Sequence, residues 1–207
     1  AEQRLYDLAE TGQTDGGPRP FVQTLAEAIT MAEAAYKRDS HVTGVTTGLS
    51  DLDRKLGGLH PSDLVILAGR PSMGKTGFTM NLVEHAVLHQ KKPILVFSME
   101  MPADALIIRM LSSIGRIDST RLRNGKLEQE DWPKLGAAVA KLKDVPLFID
   151  DTPALTPTEM RSRARRVMRE HGDLGMIMVD YLQLMQVAGS GEGRTAEISE
   201  ISRNLKA

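Results

Sequence analysis

Four short runs of consecutive apolar residues constrain this chain most: Leu64 to Ala68, Ile94 to Ser98, Leu147 to Asp150 and Met176 to Asp180. None alternates apolar with polar, as a strand with one wet face would. Between them lie segments with helical apolar spacing, Gly77 to His89, Leu106 to Ile114 and Leu135 to Leu142. Thr156-Pro157-Thr158-Glu159 opens another, with an N-cap threonine, proline in the first turn and a capping-box glutamate. Strands buried on both faces and separated by helices belong to a mostly parallel sheet with helices on both sides, the doubly wound α/β class. The composition agrees: 41% of the 207 residues are apolar and 26% charged, the mixture of a globular protein.

Two further amphipathic segments precede this pattern. Glu2 to Glu10 carries Leu5, Leu8 and Ala9 at helical spacing and runs into a Gly/Pro-rich tether, Thr11 to Pro20. Phe21 to Arg38 follows, with Leu25, Ile29, Ala32 and Tyr36 on one side, and the compact fold is expected from near Val42. The expected division is a helix and tether over residues 1–20 and an α/β domain over 21–207. At the other end the chain stops within an amphipathic helix that starts near Thr195, so further strands are expected in a longer protein.

Charge and cysteine content narrow the function classes. The 26 basic and 27 acidic residues nearly cancel, so nucleic-acid binding would need a local patch. Without cysteine there are no disulfides, thiolate metal sites or cysteine nucleophiles, which suits a reducing compartment. The apolar stretch Leu174 to Ala188 contains Asp180 and falls short of the roughly 20 residues of a membrane-spanning helix. No basic-then-apolar leader stands at the start, and a cytoplasmic location without a membrane partner is expected.

The chemistry is concentrated in Gly69-Arg70-Pro71-Ser72-Met73-Gly74-Lys75-Thr76, a full match to the phosphate-binding loop G-x-x-x-x-G-K-[ST]. It lies between the first apolar run and the helix expected from Gly77. There, glycines let backbone N–H groups close on phosphates and the helix N-terminus adds partial positive charge. Lys75 is expected to reach the β and γ phosphates of a nucleotide, and the Thr76 hydroxyl to bind Mg²⁺.

Such a site also needs carboxylates, one on the metal side and one to activate water. Three runs end in acids: Glu100 just past Ser98, Asp150 with Asp151, and Asp180. The carboxyl ends of parallel strands share one edge, where ligands bind. Asp180, after the most apolar run, is the preferred metal-side aspartate, with Asp150 and Asp151 as rivals. Glu100 reads either as a general base or as a solvated acid before Pro102. Arg161, Arg163, Arg165, Arg166 and Arg169 form a basic helix that suits a DNA channel, a subunit contact or simply water. His85 and His89 stand four apart but lack a third ligand, so a surface or packing role is expected.

With these residues in view the chain resembles, from Ala1 to Ala207, the replicative DNA helicases of the bacterial DnaB type, within the RecA-like P-loop ATPases. The resemblance rests on Thr46-Thr47-Gly48-Leu49-Ser50-Asp51-Leu52-Asp53, the phosphate loop, Phe97-Ser98-Met99-Glu100-Met101-Pro102, the stretch Leu155 to Arg166, and Val179-Asp180-Tyr181-Leu182-Gln183-Leu184-Met185. It implies that Lys75 and Thr76 bind the Mg-ATP phosphates, that Asp180 supports Mg²⁺ and that Glu100 activates water. It implies also that Ala1 to Glu10 is a linker helix that docks on a neighbouring subunit, in a homohexamer around single-stranded DNA. In the family, primase-binding and loader-contacting regions, an arginine finger and DNA-binding loops lie outside the stretch present here. A 207-residue piece without the finger is therefore expected to be a weak ATPase. Two other readings of the loop are a small-molecule kinase and a nucleotide-gated assembly module of recombinase or loader type.

Overall fold

A computed structural model describes residues 20–36, 42–70, 72–90, 92–181, 185 and 194–206. The chain divides into two compact units, Ala1–His41 and Val42–Ala207. In the first, α1 spans Phe21–Tyr36, and its Phe21, Val22, Leu25 and Ile29 are exposed. The helix expected over Ala1 to Glu10 lies outside the described residues, as do its tether up to Arg19 and the last two residues of the Phe21 to Arg38 segment.

The second unit runs α2 (Ser50–Leu56), α3 (Lys75–His89), β1 (Ile94–Ser98), α4 (Ala103–Gly115), α5 (Ser119–Asn124), α6 (Asp131–Leu142), β2 (Leu147–Asp150), α7 (Pro157–His171), β3 (Met176–Asp180) and α8 (Arg194–Lys206). The strands form a parallel sheet in the order β2-β1-β3. All of β1 is buried because alternate side chains enter opposite cores. Ile94 and Val96 pack with Met80, Val83, Ala86 and Val87 of α3, Leu106 and Met110 of α4, and Met178. Leu95 and Phe97 pack with Met160 and Ala164 of α7, Leu155, Met185, and Ile201 of α8. Each such side chain contributes about 1.5–3 kcal/mol by leaving water, and this accounts for a run with no polar alternation.

The register brings the strand ends together. Phe97 pairs with Asp150 and Ser98 with Asp180, so the acids of β2 and β3 stand on the edge from which Glu100 emerges. The capping box on α7 is present as expected: Thr156 Oγ1 accepts from the Glu159 amide at 3.2 Å, and the Glu159 carboxylate accepts from the Thr156 amide at 2.8 Å. No helix among the described residues is long and apolar enough to cross a membrane.

One expected strand is not a strand here. Leu64 to Ala68 makes no ladder bonds, and Val65 and Ile66 are each 60% exposed. An apolar run states that a segment favours burial, but a strand also needs a partner for its N–H and C=O groups. This segment instead lines a cleft opposite Met176 to Asp180 of β3, without bonding to it.

Candidate functional site

The site lies in that cleft, of about 2030 Å³, which collects Gly69, Ser72, Gly74, Lys75, Thr76, Glu100, Arg109 and Asp180. The loop takes its shape from two residues with positive φ, Ser72 at 64° and Gly74 at 81°. Gly74 is the N-cap of α3, where a left-handed backbone lets the chain turn sharply from loop into helix and no side chain caps the first N–H groups of α3, which lack partners within the helix. A Cβ on Gly69 would lie 3.3 Å from Lys75 Cγ, a tight approach that the lysine side chain would have to relieve. Lys75 lies across the loop, its Nζ donating to the carbonyls of Gly69 at 3.2 Å and Arg70 at 3.4 Å. Met73 is exposed at the tip, the Met73 amide donates to the Arg70 carbonyl at 3.3 Å, and Pro71 lies outside the described residues.

Sequence positions 104 apart meet at the base of the cleft. Thr76 Oγ1 donates to Asp180 Oδ2 at 2.7 Å, with Asp180 only 5% exposed. The hydroxyl on the first turn of α3 and the carboxylate at the end of β3 thus present hard oxygen donors side by side. That donor set suits Mg²⁺ bound together with phosphate oxygens, and the uncapped N–H groups at the start of α3 suit the phosphates themselves.

Glu100 lies two residues past β1 and lines the same cleft, with its side chain exposed. The rival acids are occupied elsewhere, and neither is among the residues that line the cleft. Asp150 Oδ2 accepts from Arg163 at 2.5 Å and Asp150 Oδ1 from the Thr152 amide at 3.1 Å. Burial pushes the Asp150 pKa up, but the bonds from Arg163 and Thr152 outweigh it and hold the carboxyl below its ordinary range. Asp151 Oδ2 accepts from the Ala103 amide at 2.9 Å, at the start of α4.

The arginine helix is partly spoken for. Arg163 holds Asp150 and Thr152, Arg161 donates to the Asn204 carbonyl of α8 at 2.9 Å, and Arg166 pairs with Glu170 at 3.3 Å. His85 and His89 stack at 4.1 Å, and a Cβ on Gly48 would come within 2.5 Å of the His85 ring. Burial, then the neighbouring His89, lowers the His85 pKa. The His85 ring packs against the loop at Gly48, while His89 is exposed and its Nδ1 lies 2.8 Å from the His85 carbonyl.

Two features of the site cannot be read from spacing. Arg109 of α4 lines the cleft and stands 3.9 Å from where a Gly77 Cβ would be. Its only sequence signal is a lone cation on the helix after Glu100. The second is a knot in which buried Asp53 accepts from Thr46 Oγ1 at 2.6 Å, the Thr47 amide at 2.8 Å and Thr47 Oγ1 at 2.7 Å. Thr47 also lines the cleft, so this knot closes its wall.

Comparison with known proteins places the chain in a family. Residues 44–207 match the model of the DnaB-like helicase C-terminal domain. The whole chain is 50% identical to the replicative DNA helicase DnaB of Pasteurella multocida and 50% identical to that of Haemophilus influenzae, covering 45% of each. The chain therefore spans about half the length of these curated relatives. Among solved structures, one described as an ATPase domain superposes with a TM-score of 0.84 at 29% identity, over 92% of this chain and 66% of that one. A DnaB-like replicative helicase, described with its interactions with primase, superposes over 100% of this chain and 49% of its own with a TM-score of 0.78 at 29% identity. The fold is accordingly RecA-like, and the chain belongs to the DnaB-like helicase C-terminal domain family.

Proposed function

We propose that this chain is the ATPase motor core of a replicative DNA helicase. Hydrolysis of Mg-ATP between subunits of a hexameric ring drives translocation on single-stranded DNA and separation of the duplex. The observation that carries the reading is the 2.7 Å bond from Thr76 to Asp180, made where a full phosphate loop opens α3 and Glu100 borders the same cleft. Thr76 and Asp180 would hold Mg²⁺, and the amides between Gly69 and Thr76 would hold the phosphates. Magnesium, when bound, offsets the charge that builds on the transferring phosphoryl group. Lys75 is close enough to exchange its two backbone carbonyls for phosphate oxygens, and Glu100 accepts the proton of the attacking water. The linker-helix role expected for Ala1 to Glu10, and contacts with primase or a loader, belong to the same reading of the full chain.

The test is ATP turnover and strand displacement by the full chain, with and without single-stranded DNA. Lys75→Ala is expected to lower DNA-stimulated turnover by about 10²–10³-fold and to abolish displacement, since a fixed charge on the phosphates is gone. Undiminished displacement by that variant would refute the reading.

A further inference from the structure

Glu100 has an exposed side chain on a short turn, yet a general base must be held within a few tenths of an ångström to act. The turn around it is fastened on both sides. Ser98, the last residue of β1 and 1% exposed, donates from Oγ to the Met101 carbonyl at 2.6 Å. That bond closes Ser98 to Met101 into a loop with Glu100 at its third position. The Met99 amide donates to the Asp180 carbonyl at 2.8 Å, tying the turn to the strand that carries the metal-side aspartate. Met99 packs into the α7–α8 core and Met101 against the α3–α4 core, so the residues flanking Glu100 anchor in opposite layers.

The far end is fastened from β2. Pro102 occupies the N-cap of α4 and brings no side-chain oxygen, so the first amide of that helix lacks a local acceptor. Asp151 supplies one from another strand, through Oδ2 to the Ala103 amide at 2.9 Å. The neighbouring Asp150 is itself fixed by Arg163 and Thr152, so Asp151 projects from an anchored strand end.

We infer that Ser98 and Asp151 are positioning residues for hydrolysis: together they hold the turn that aims Glu100 at the attacking water, and neither contacts the nucleotide. The inference rests on the reading of Glu100 as the water-activating base. Loss of either anchor lets the carboxylate wander by a fraction of an ångström or more, and misplacement of about 1 Å costs on the order of 10²-fold in such geometries.

The experiment measures kcat for ATP and the affinity for a non-hydrolysable ATP analogue in the full chain carrying Ser98→Ala, Asp151→Ala, Asp151→Asn or Glu100→Gln. Ser98→Ala and Asp151→Ala are expected to lower kcat about tenfold or more while analogue affinity stays within about twofold. Asp151→Asn, which keeps an acceptor oxygen for the Ala103 amide, is expected to restore kcat to within about twofold of the parent. Glu100→Gln is expected to lose about 10²–10⁴-fold in kcat with binding retained. If Glu100→Gln is inactive while both alanine variants keep full kcat, the positioning role is overturned and the base survives. Affinity and kcat falling together in the alanine variants, or Asp151→Asn failing as badly as Asp151→Ala, also overturns it. If Glu100→Gln keeps its turnover, the reading of the base falls first and the positioning role with it.

Discussion

Replacing Asp53 by alanine should destabilise the Val42–Ala207 unit more than its distance from the phosphate loop in sequence suggests. The Asp53 carboxylate accepts from the Thr47 amide, Thr47 Oγ1 and Thr46 Oγ1 at 2.6–2.8 Å, and Thr47 is 2% exposed. Alanine leaves the buried Thr47 amide without an acceptor and the Thr47 hydroxyl with only a long 3.5 Å approach to the Leu49 carbonyl, at about 1–2 kcal/mol each, while the half-buried Thr46 hydroxyl can turn to water. The sum, about 3 kcal/mol, is a large part of the 5–15 kcal/mol that typically holds a domain together. Asp53→Asn keeps one acceptor and should cost about 1 kcal/mol. In urea unfolding with a slope near 2 kcal/mol/M, Asp53→Ala should shift the midpoint by about 1.5 M. Far-UV circular dichroism is the suitable probe, because the single tryptophan, Trp132, is 61% exposed and reports little on the core.

The same carboxylate predicts a pH dependence. Burial raises its pKa, but the bonds from Thr46, Thr47 and Gly48 outweigh that and set it below the ordinary 3.8. A depressed folded-state pKa means that the stability contributed is complete above 3.8 and is lost as the pH falls below that value toward the folded pKa. The wild type should therefore lose stability more steeply in that acid window than Asp53→Asn does. A midpoint shift under about 0.3 M for Asp53→Ala at neutral pH, with unchanged slope, would refute the account of the knot.

Gly48→Ala should cost about 2–4 kcal/mol, part from a side chain at φ 79° and part from a Cβ only 2.5 Å from the His85 ring. His85→Ala in the same chain should recover about 1–3 kcal/mol of that, a coupling that a double-mutant cycle in urea would measure. Thr156→Ala should cost about 1 kcal/mol through loss of the α7 cap, and Thr156→Ser, which keeps the hydroxyl that accepts from the Glu159 amide and donates to its carboxylate, should recover most of it in the same assay.

How far the molecule is legible in its sequence depends on whether the signal is local. The bounds of β1, β2 and β3 coincide with the apolar runs, whose polar residues stand only at their ends; β1 is buried on both faces, β2 is half-buried, and Ile177 of β3 is exposed. Leu64 to Ala68 shows the limit: four exposed apolar side chains state a preference for burial, whereas strand pairing depends on a neighbour that the run does not encode. The short helices α2 and α5 carry no apolar stripe to announce them. They are set by their ends, with Asp118 accepting from the Thr120 and Arg121 amides at 2.8 and 2.9 Å and a left-handed Gly57 closing α2.

The acids make the same point within the site. Asp150 and Asp180 end strands on one edge and Asp151 follows directly, so spacing alone leaves them as rivals. They are told apart by partners remote in sequence, Arg163 and Ala103 for the first two and Thr76 for the third. The Thr46 to Asp53 stretch is a conspicuous motif, but its chemistry emerges only when the loop closes on itself.

The central claim is that Thr76 and Asp180 together form the metal side of a nucleotide site. Its most direct test is the affinity of the full chain for a fluorescent ATP analogue as Mg²⁺ is raised, compared between the parent, Asp180→Asn and Asp150→Asn. Asparagine can still accept from Thr76 but carries no charge, so Asp180→Asn should forfeit the Mg²⁺-dependent gain in affinity, about tenfold or more, while Asp150→Asn keeps it. An undiminished Mg²⁺ response in Asp180→Asn, or its loss in Asp150→Asn alone, would contradict the account.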